Sequence, residues 1–389
     1  MRRRTLLAAV PAAAVSVAAT PSLAAAAPAP TRLTLPAPTG PEAIGTASMH
    51  LIDPSRPDPW VPGRRTRELM VQVWYPACDV RGRVRAPWVS PALAAALAPP
   101  GSTYTLPVTH AYLGAPAAAG RRPVVVYSPG LGVERTAGTA VVEELASHGY
   151  VVVTIDHTHD SSLVEFPGGR TEARAVPEPT DPDGAEPIIA EALRTRVADT
   201  RFVLDRLLFL AHGRNPDAER APLPAGLPGA LDLARVGMFG HSLGGATAAE
   251  MMYEDRRVRA GANLDGTESG AVLDGGLDRP FLLFGAGDAD GPDDDPTWAR
   301  LWSRLRGPRL RLQLLRAGHL SFTDYQALFP QAGVPAEQLE PSFGTIDPRR
   351  SVAAQRAYLL AYFDRYLRGR PSRLLERPSP RYPEIRFVA

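Results

Sequence analysis

The sequence contains no lysine and only one cysteine, Cys78, among its 389 residues. A single cysteine excludes an intrachain disulfide, and it excludes the paired-cysteine spacings of structural zinc sites. Three of the 43 basic residues stand together at Arg2–Arg4, and without them 40 arginines face 41 acidic residues. A chain so close to neutral has no overall basic field that would attract nucleic acid. We therefore expect no nucleic-acid partner.

Long hydrophobic runs are also lacking, since no stretch of about 20 strongly apolar residues occurs. The N-terminus comes nearest. Arg2–Arg4 precede an Ala-rich apolar run over Leu6–Val17, and small residues follow at Ser22–Ala27. This order is typical of a cleaved export signal. The pair Arg3-Arg4, followed by Thr5-Leu6-Leu7, resembles a twin-arginine signal, which exports folded proteins. Residues 1–27 are therefore predicted to be a twin-arginine signal peptide, and the mature protein is predicted to be secreted.

The remainder divides by composition into a linker, one large domain and a tail. Residues 28–44 are rich in Pro, Thr and Ala and are predicted to form a flexible linker. Residues 45–370 are long enough for a single domain with a substantial core, and 371–389 form a C-terminal tail. Two irregular segments, 158–187 and 324–348, are candidates for lids over a pocket; the alternative is that they are inert surface loops.

Strand-like and helix-like segments alternate along the large domain, which predicts a mainly parallel sheet covered on both faces. Short apolar runs predict buried strands, and apolar residues at three-to-four spacing predict helices. The predicted strands include Val124–Tyr127, Tyr150–Ile155, Arg235–Phe239, Val258–Leu264, Phe281–Phe284 and Leu310–Leu315, and the predicted helices include Thr136–His148, Ile188–Leu210, Gly245–Tyr253 and Val352–Leu367. The fold class is therefore α/β, with a mostly parallel central sheet and helices on both faces.

A nucleophile motif stands between one of these strands and its helix. Gly240-His241-Ser242-Leu243-Gly244 matches the G-x-S-x-G pattern, with a short apolar strand directly before it and a helix directly after it. A strand-to-helix turn this tight leaves no room for side chains at either end, which explains the two glycines. The turn also places the serine at the positive end of a helix, where developing negative charge is favoured. Ser242 is therefore the predicted nucleophile of an α/β-hydrolase fold.

A serine hydroxyl becomes a good nucleophile only when a base removes its proton, and histidine is the usual base. The chain order in this topology is serine, acid, histidine. After His241, which belongs to the motif itself, the chain has one more histidine, His319. It follows the predicted strand Leu310–Leu315, at the edge of the sheet where a catalytic histidine belongs. His319 is therefore the predicted general base.

Two carboxylates compete for the role of the acid that orients this histidine. Asp265 follows the strand Val258–Leu264, and Asp288 follows the strand Phe281–Phe284. Both stand at the carboxyl end of a parallel strand. Spacing favours Asp288, because the acid of this fold most often follows the later strand. The residues alone leave the choice open.

The tetrahedral intermediate of an acyl transfer needs two fixed backbone N–H donors for its oxyanion. The residue after the nucleophile, Leu243, supplies one. The other comes from the turn Pro129-Gly130-Leu131-Gly132, which follows the strand Val124–Tyr127. Since Pro129 has no N–H, Leu131 is the predicted second donor. Nearby, His157, His159 and Asp160 follow another strand, and we expect them to brace this edge of the site rather than to bind a metal.

Several of these stretches together resemble the platelet-activating-factor acetylhydrolase family. The resemblance extends over roughly residues 65–325 and keeps the order and spacing of its motifs. The matching stretches are Val124–Gly132 (VVVYSPGLG), Leu145–Asp156 (LASHGYVVVTID), Phe239–Ala246 (FGHSLGGA) and Ala262–Gly266 (ANLDG). The sequence departs from the animal members at Pro129, where those have histidine.

The large domain at 45–370 is therefore predicted to be an α/β-hydrolase catalytic domain. The resemblance implies that Asp265 completes the triad with Ser242 and His319, and that Leu131 and Leu243 are the oxyanion donors. It implies hydrolysis of short-chain esters or of the sn-2 acyl group of phospholipids, with no metal or cofactor. A broader lipase or polyester hydrolase, and a non-catalytic hydrolase-like binding protein, are the alternatives. The expected partners are a small-molecule or lipid ester and, transiently, a lipid surface, with no protein partner.

Overall fold

The computed structural model describes residues 30–178, 182–287 and 295–388. Within these ranges the strands are β1 Thr31–Arg32, β2 Ala43–Asp53, β3 Arg67–Ala77, β4 Arg85–Pro87, β5 Tyr104–Thr105, β6 Val108–Leu113, β7 Arg122–Ser128, β8 Val151–Asp156, β9 Leu163–Glu165, β10 Thr171–Ala173, β11 Leu231–His241, β12 Val258–Leu264, β13 Phe281–Gly287, β14 Arg309–Leu315 and β15 Ile385–Phe387. The helices are α1 Pro91–Leu97, α2 Thr139–Ser147, α3 Pro182–Ala211, α4 Leu227–Ala230, α5 Leu243–Glu254, α6 Val272–Gly275, α7 Pro296–Arg304, α8 Tyr325–Leu328, α9 Ala336–Phe343 and α10 Pro348–Arg368.

One sheet organises the molecule, with the strand order β15-β14-β13-β12-β11-β7-β8-β3-β2-β6-β4. The central strands from β14 to β8 are all parallel, and antiparallel pairs occur at β14–β15, β8–β3, β3–β2 and β6–β4. The chain runs outward from β7 to β8 in one direction and from β11 to β14 in the other. The carboxyl ends of β7 and β11 therefore flank a topological switch point, where ligands of open α/β sheets bind.

Helices cover both faces of this sheet, as the alternation of elements predicted. Successive residues of β7 point to opposite faces, so Val124 and Val126 belong to one core while Val125 and Tyr127 belong to the other. The first core includes buried side chains of α3, α5 and α7, and the second includes those of α2 and α10. The α/β fold class is thus confirmed, as a mostly parallel sheet between two helical layers.

The predicted flexible linker is wrong for residues 30–42, which lie bound along the domain; we call this segment the N-terminal strap. Leu33 and Leu35 are buried in a small apolar cluster with Trp88. The guanidinium of Arg356, on α10, donates to the carbonyl oxygens of Pro36 and Ala37 at 2.8 Å each. Composition suggested a linker because the strap is rich in proline, but its two leucines find apolar partners that are distant in sequence.

The C-terminal tail likewise belongs to the domain. Its strand β15 pairs antiparallel with β14 and so forms one edge of the main sheet. The irregular segment 158–187 contains the β9–β10 hairpin, and 324–348 contains α8 and α9. The predicted signal peptide lies outside the described residues. In the part of the chain that the structure describes, no helix is both long enough and apolar enough to cross a membrane.

Candidate active site

Ser242 occupies a strained turn between β11 and α5, with φ of 55° and ψ of −126°. Its N–H donates to the carbonyl oxygen of Leu264 at 2.9 Å, which helps to hold this conformation. A Cβ atom added at Gly240 would lie 2.2 Å from the carbonyl carbon of Gly244, and one added at Gly244 would lie 2.0 Å from the carbonyl oxygen of Ser128. The turn can therefore form only with glycine at both ends, as the motif predicted.

His319 begins a short 3₁₀ turn, His319–Phe322, directly after the end of β14. Its Nδ1 donates to Oδ2 of Asp265 at 2.7 Å. Asp265 follows β12 and has φ of 56°, and its other oxygen, Oδ1, accepts the N–H of Ala286 at 2.6 Å. Of the two acids that the sequence offered, the structure therefore places Asp265 against His319. Asp288 lies outside the described residues.

The surroundings of Asp265 favour its ionised form. Burial by itself would raise the pKa of this carboxyl group, but the hydrogen bond from His319, the charge of that ring and the N–H of Ala286 lower the pKa below its ordinary value. The side chain of Asp265 is only 11% exposed, whereas the side chain of His319 is 47% exposed. An ionised Asp265 can therefore fix the Nδ1–H tautomer of a histidine whose Nε2 remains accessible.

His241 links the turn that carries Ser242 to the loop that carries His319, a contact that no sequence pattern beyond the motif predicts. Its Nε2–H donates to the carbonyl oxygen of His319 at 2.9 Å, and the two rings lie 4.6 Å apart. Burial, and then the charge of His319, lower the pKa of His241 to about 3, so this ring stays neutral. Among the described residues Ser242 Oγ has no hydrogen-bond partner, and contacts of this kind often tighten only when substrate binds.

The two predicted oxyanion donors belong to two turns that pack against each other at Ser242. Leu243 is the first residue of α5, and Leu131 follows Gly130 in the turn after β7. That turn packs against Ser242, since a Cβ added at Gly130 would lie 3.1 Å from His241 Nδ1 and 3.3 Å from Ser242 Cβ. Within the described part of the chain neither amide donates to an acceptor. Both N–H groups are therefore available to an oxyanion.

A buried amide–carboxyl pair, which no sequence pattern predicts, supports the turn that carries Asp265. Asn263 accepts the N–H of Gly266 at 2.8 Å and donates to the carbonyl oxygen of Gly266 and to Glu268, both at 2.7 Å. Glu268 is only 1% exposed, and burial raises its pKa to about 8. A protonated Glu268 and Asn263 thus hold the backbone that sets Asp265 at a positive φ.

His157 and His159, which follow β8, are both engaged by carboxylates. His157 Nδ1 donates to Asp199 at 3.0 Å, while His159 bonds Asp58 at 2.9 Å and Glu172 at 3.2 Å. In the ranges that the structure describes, no group of three or more His, Cys, Asp or Glu side chains is arranged to hold a metal ion. These histidines lie behind the turn after β7, in a buried polar network.

Sequence comparison identifies one family and two relatives to which this chain is similar. The sequence model of the family "platelet-activating factor acetylhydrolase, isoform II" matches residues 34–269. A probable 1-alkyl-2-acetylglycerophosphocholine esterase of Arthroderma benhamiae is 30% identical over 68% of this chain and 66% of its own length. The platelet-activating factor acetylhydrolase of Bos taurus is 31% identical over 37% of this chain and 34% of its own length. The chain thus spans about two thirds of the fungal relative and about a third of the bovine one.

Among solved structures, a ferulic acid esterase from Streptomyces cinnamoneus is 40% identical, with a TM-score of 0.79, over 92% of this chain and 99% of that one. Its fold is therefore shared over nearly the whole described domain. The family match covers more than half of the sequence and includes the turn after β7, the nucleophile motif and Asp265. The chain belongs to the platelet-activating factor acetylhydrolase isoform II family of carboxylic ester hydrolases, with the α/β-hydrolase fold.

Proposed function

We propose that this protein hydrolyses carboxylic esters through an acyl-enzyme formed on Ser242. One arrangement supports the proposal: at one edge of the sheet, Ser242 stands in a strained turn directly after His241, whose ring lies 4.6 Å from the ring of His319, and His319 is paired at 2.7 Å with Asp265. Two backbone N–H groups without acceptors among the described residues, those of Leu131 and Leu243, belong to the turns that meet at Ser242. Nucleophile, base, orienting acid and oxyanion donors are the four parts that acyl transfer to a serine requires.

In the proposed reaction His319 Nε2 accepts the proton of the Ser242 hydroxyl as Oγ attacks the ester carbonyl carbon. The N–H groups of Leu131 and Leu243 hold the oxyanion, and Asp265 stabilises the imidazolium. His319 then returns the proton to the leaving alkoxide as the C–O bond breaks. A water molecule repeats these steps on the acyl-enzyme and releases the acid. This route needs no metal or cofactor, because the chain supplies each group.

Two classes of ester are candidates for the substrate. The family relatives point to glycerophospholipids with a short acyl group at the sn-2 position, the reading that the sequence favoured. The solved esterase points to esters of ferulic acid. It matches this chain at higher identity and over nearly the full length of both proteins. Esters of ferulic acid are therefore the other candidate. The comparison of whole chains supports them more strongly than it supports glycerophospholipids.

We also propose that the protein acts outside the cytoplasm. The arginine cluster at Arg2–Arg4, the apolar run over Leu6–Val17 and the small residues that follow support export by the twin-arginine route. Replacing the arginine pair by lysine should then retain the protein inside the cell, with its activity intact in lysates. Unchanged appearance in the medium would refute this route.

The proposal is tested by labelling with a fluorophosphonate and by a panel of esters. Wild-type protein should be labelled, and Ser242→Ala should lose both the label and hydrolysis, while Ser303→Ala, which changes an exposed serine, should retain both. The panel compares p-nitrophenyl esters of increasing chain length, methyl ferulate and a 2-acetyl glycerophospholipid. Undiminished rates on long acyl chains would favour a broad lipase. A folded wild-type protein with neither label nor hydrolysis would indicate a non-catalytic binding protein.

A further inference from the structure

Arg196, on α3, is a buried arginine that donates hydrogen bonds to the turn Pro129–Gly132 after β7. This turn carries the proposed donor Leu131, and we call it the oxyanion turn. It is 0% exposed. Its Nε and Nη2 donate to the two oxygens of Asp160 at 2.7 and 2.6 Å. Its Nη1 donates to the carbonyl oxygen of Pro129 and, at 3.3 Å, to Ser128 Oγ, while Nη2 also donates to the carbonyl oxygen of Gly130 at 3.0 Å. All five N–H groups of the guanidinium are thus accounted for.

The orientation of the next amide is held by two donors to the carbonyl oxygen of Gly130: Arg196 Nη2 at 3.0 Å and, within the turn itself, the N–H of Val133 at 3.2 Å. The carbonyl of Gly130 and the N–H of Leu131 belong to one planar peptide unit, and in its trans form they point in opposite directions. Because Arg196 binds that carbonyl oxygen, the N–H of Leu131 is directed away from the guanidinium. The same turn is close to the proposed nucleophile, since Gly130 packs against Ser242 and His241.

A chain of buried hydrogen bonds fixes the same turn from a second direction. Ser128 O–H donates to His157 Nε2 at 3.0 Å, and His157 Nδ1–H donates to Asp199 at 3.0 Å. Burial lowers the pKa of His157, so the ring is neutral and this direction of donation is consistent. Ser128, His157 and Asp199 have the pattern of a triad but are all 0% exposed, which excludes access for a substrate. Their hydrogen bonds instead hold the residue that begins the turn.

We propose that Arg196 is a positioning residue for catalysis, whose contacts with the carbonyls of Pro129 and Gly130 aim the N–H of Leu131 at the oxyanion. This inference rests on the proposed function, because it assumes that Leu131 is an oxyanion donor. Arg196 touches no reacting atom and acts through the backbone of the turn. Its removal should therefore weaken stabilisation of the transition state more than binding of the ground state.

The test is Arg196→Lys, assayed on a pair of substrates: p-nitrophenyl acetate and the thionoester in which sulfur replaces the carbonyl oxygen. Lysine keeps the positive charge beside Asp160 but lacks the planar fork that reaches both carbonyls. Sulfur accepts hydrogen bonds weakly, so the thionoester draws little on the oxyanion donors. Loss of one whole donor costs about 10² to 10³ in kcat, and we expect a fall of roughly tenfold or more on the oxoester. KM and the thionoester rate should change much less, so the ratio of oxoester to thionoester kcat falls.

Arg356→Lys is the matched control. Arg356 is also a buried arginine that donates to two consecutive carbonyls, those of Pro36 and Ala37, but it holds the N-terminal strap. Its replacement should lower Tm and leave the ratio of oxoester to thionoester kcat at the wild-type value. Asp160→Asn is a second test variant, which weakens the anchor of Arg196 while the guanidinium stays, and it should lower the ratio in the same direction. Asp160 also accepts the N–H of Gly132 at 3.4 Å, so the decisive result from this variant is a wild-type ratio in the folded protein, which would overturn the positioning role.

The outcomes separate the two proposals. A folded Arg196→Lys protein with a lower Tm but a wild-type ratio would overturn the positioning role and leave a structural one. An equal fall of the ratio in Arg356→Lys would also overturn it, because general destabilisation would then explain the effect. A wild-type protein that hydrolyses neither ester would instead refute the proposed function itself.

Discussion

Replacing Asp265 by asparagine tests the proposed role of His319 as a general base that this carboxylate orients. The two oxygens of Asp265 have different partners: Oδ1 accepts the N–H of Ala286 at 2.6 Å, and Oδ2 accepts Nδ1–H of His319 at 2.7 Å. The oxygen of asparagine should stay with the Ala286 N–H, since an NH₂ group there would face a donor. The NH₂ group then faces His319, and the ring must present an unprotonated Nδ1 to it. Its Nε2 consequently carries the hydrogen and cannot accept the proton of Ser242.

The expected loss follows from this change of tautomer. In another serine hydrolase the same replacement lowers kcat by about 10⁴, which corresponds to roughly 5.4 kcal/mol of transition-state stabilisation. Active sites are counted with the fluorophosphonate, kcat is measured on p-nitrophenyl acetate, and Tm establishes that the protein is folded. Asp288→Asn is the control that the sequence itself suggests. A kcat within about tenfold of wild type for Asp265→Asn, or a loss of orders of magnitude for Asp288→Asn, would refute the assignment.

Three further expectations concern stability. The pKa of Glu268 is raised from its ordinary 4.5 to about 8 in the folded protein. Protonated Glu268 therefore contributes fully to the free energy of unfolding below about pH 4.5, and this contribution is lost as the pH rises through about 8. Glu268→Gln should therefore flatten the decline in urea-unfolding free energy from about pH 5 to about pH 9, at up to about 1.4 kcal/mol per pKa unit; parallel curves for the two proteins would contradict this. Gly244→Ala places a Cβ 2.0 Å from the carbonyl oxygen of Ser128. It should lower the free energy of unfolding by about 1–3 kcal/mol or prevent folding, and an unchanged urea midpoint would contradict the close packing. Leu35→Ala should cost about 2 kcal/mol and speed proteolysis within the N-terminal strap, whereas an unaltered cleavage rate would mean that the strap is not docked through this residue.

The sequence alone determined the fold class and the nucleophile turn. Both depend on local rules: apolar strands alternating with amphipathic helices predict the parallel sheet, and two glycines around Ser242 predict the sharp turn. His319 also followed from the sequence, because it is the one histidine after the motif. Each of these signals lies within a short stretch of chain or in the order of a few residues. These signals can therefore be recognised without knowledge of tertiary contacts.

The tertiary structure decided what depends on distant partners. Spacing favoured Asp288 as the acid, whereas family resemblance favoured Asp265, and the contact of Asp265 with His319 joins residues 54 positions apart. The segment 30–42 was assigned as a linker because it is rich in proline. Composition does not show that its two leucines pack against residues that are distant in sequence. Arg196 is one of 43 basic residues and has no motif; only the burial of its guanidinium behind the oxyanion turn distinguishes it. Local sequence encodes elements and tight turns, whereas the partners of a buried charge are fixed only when the chain has packed.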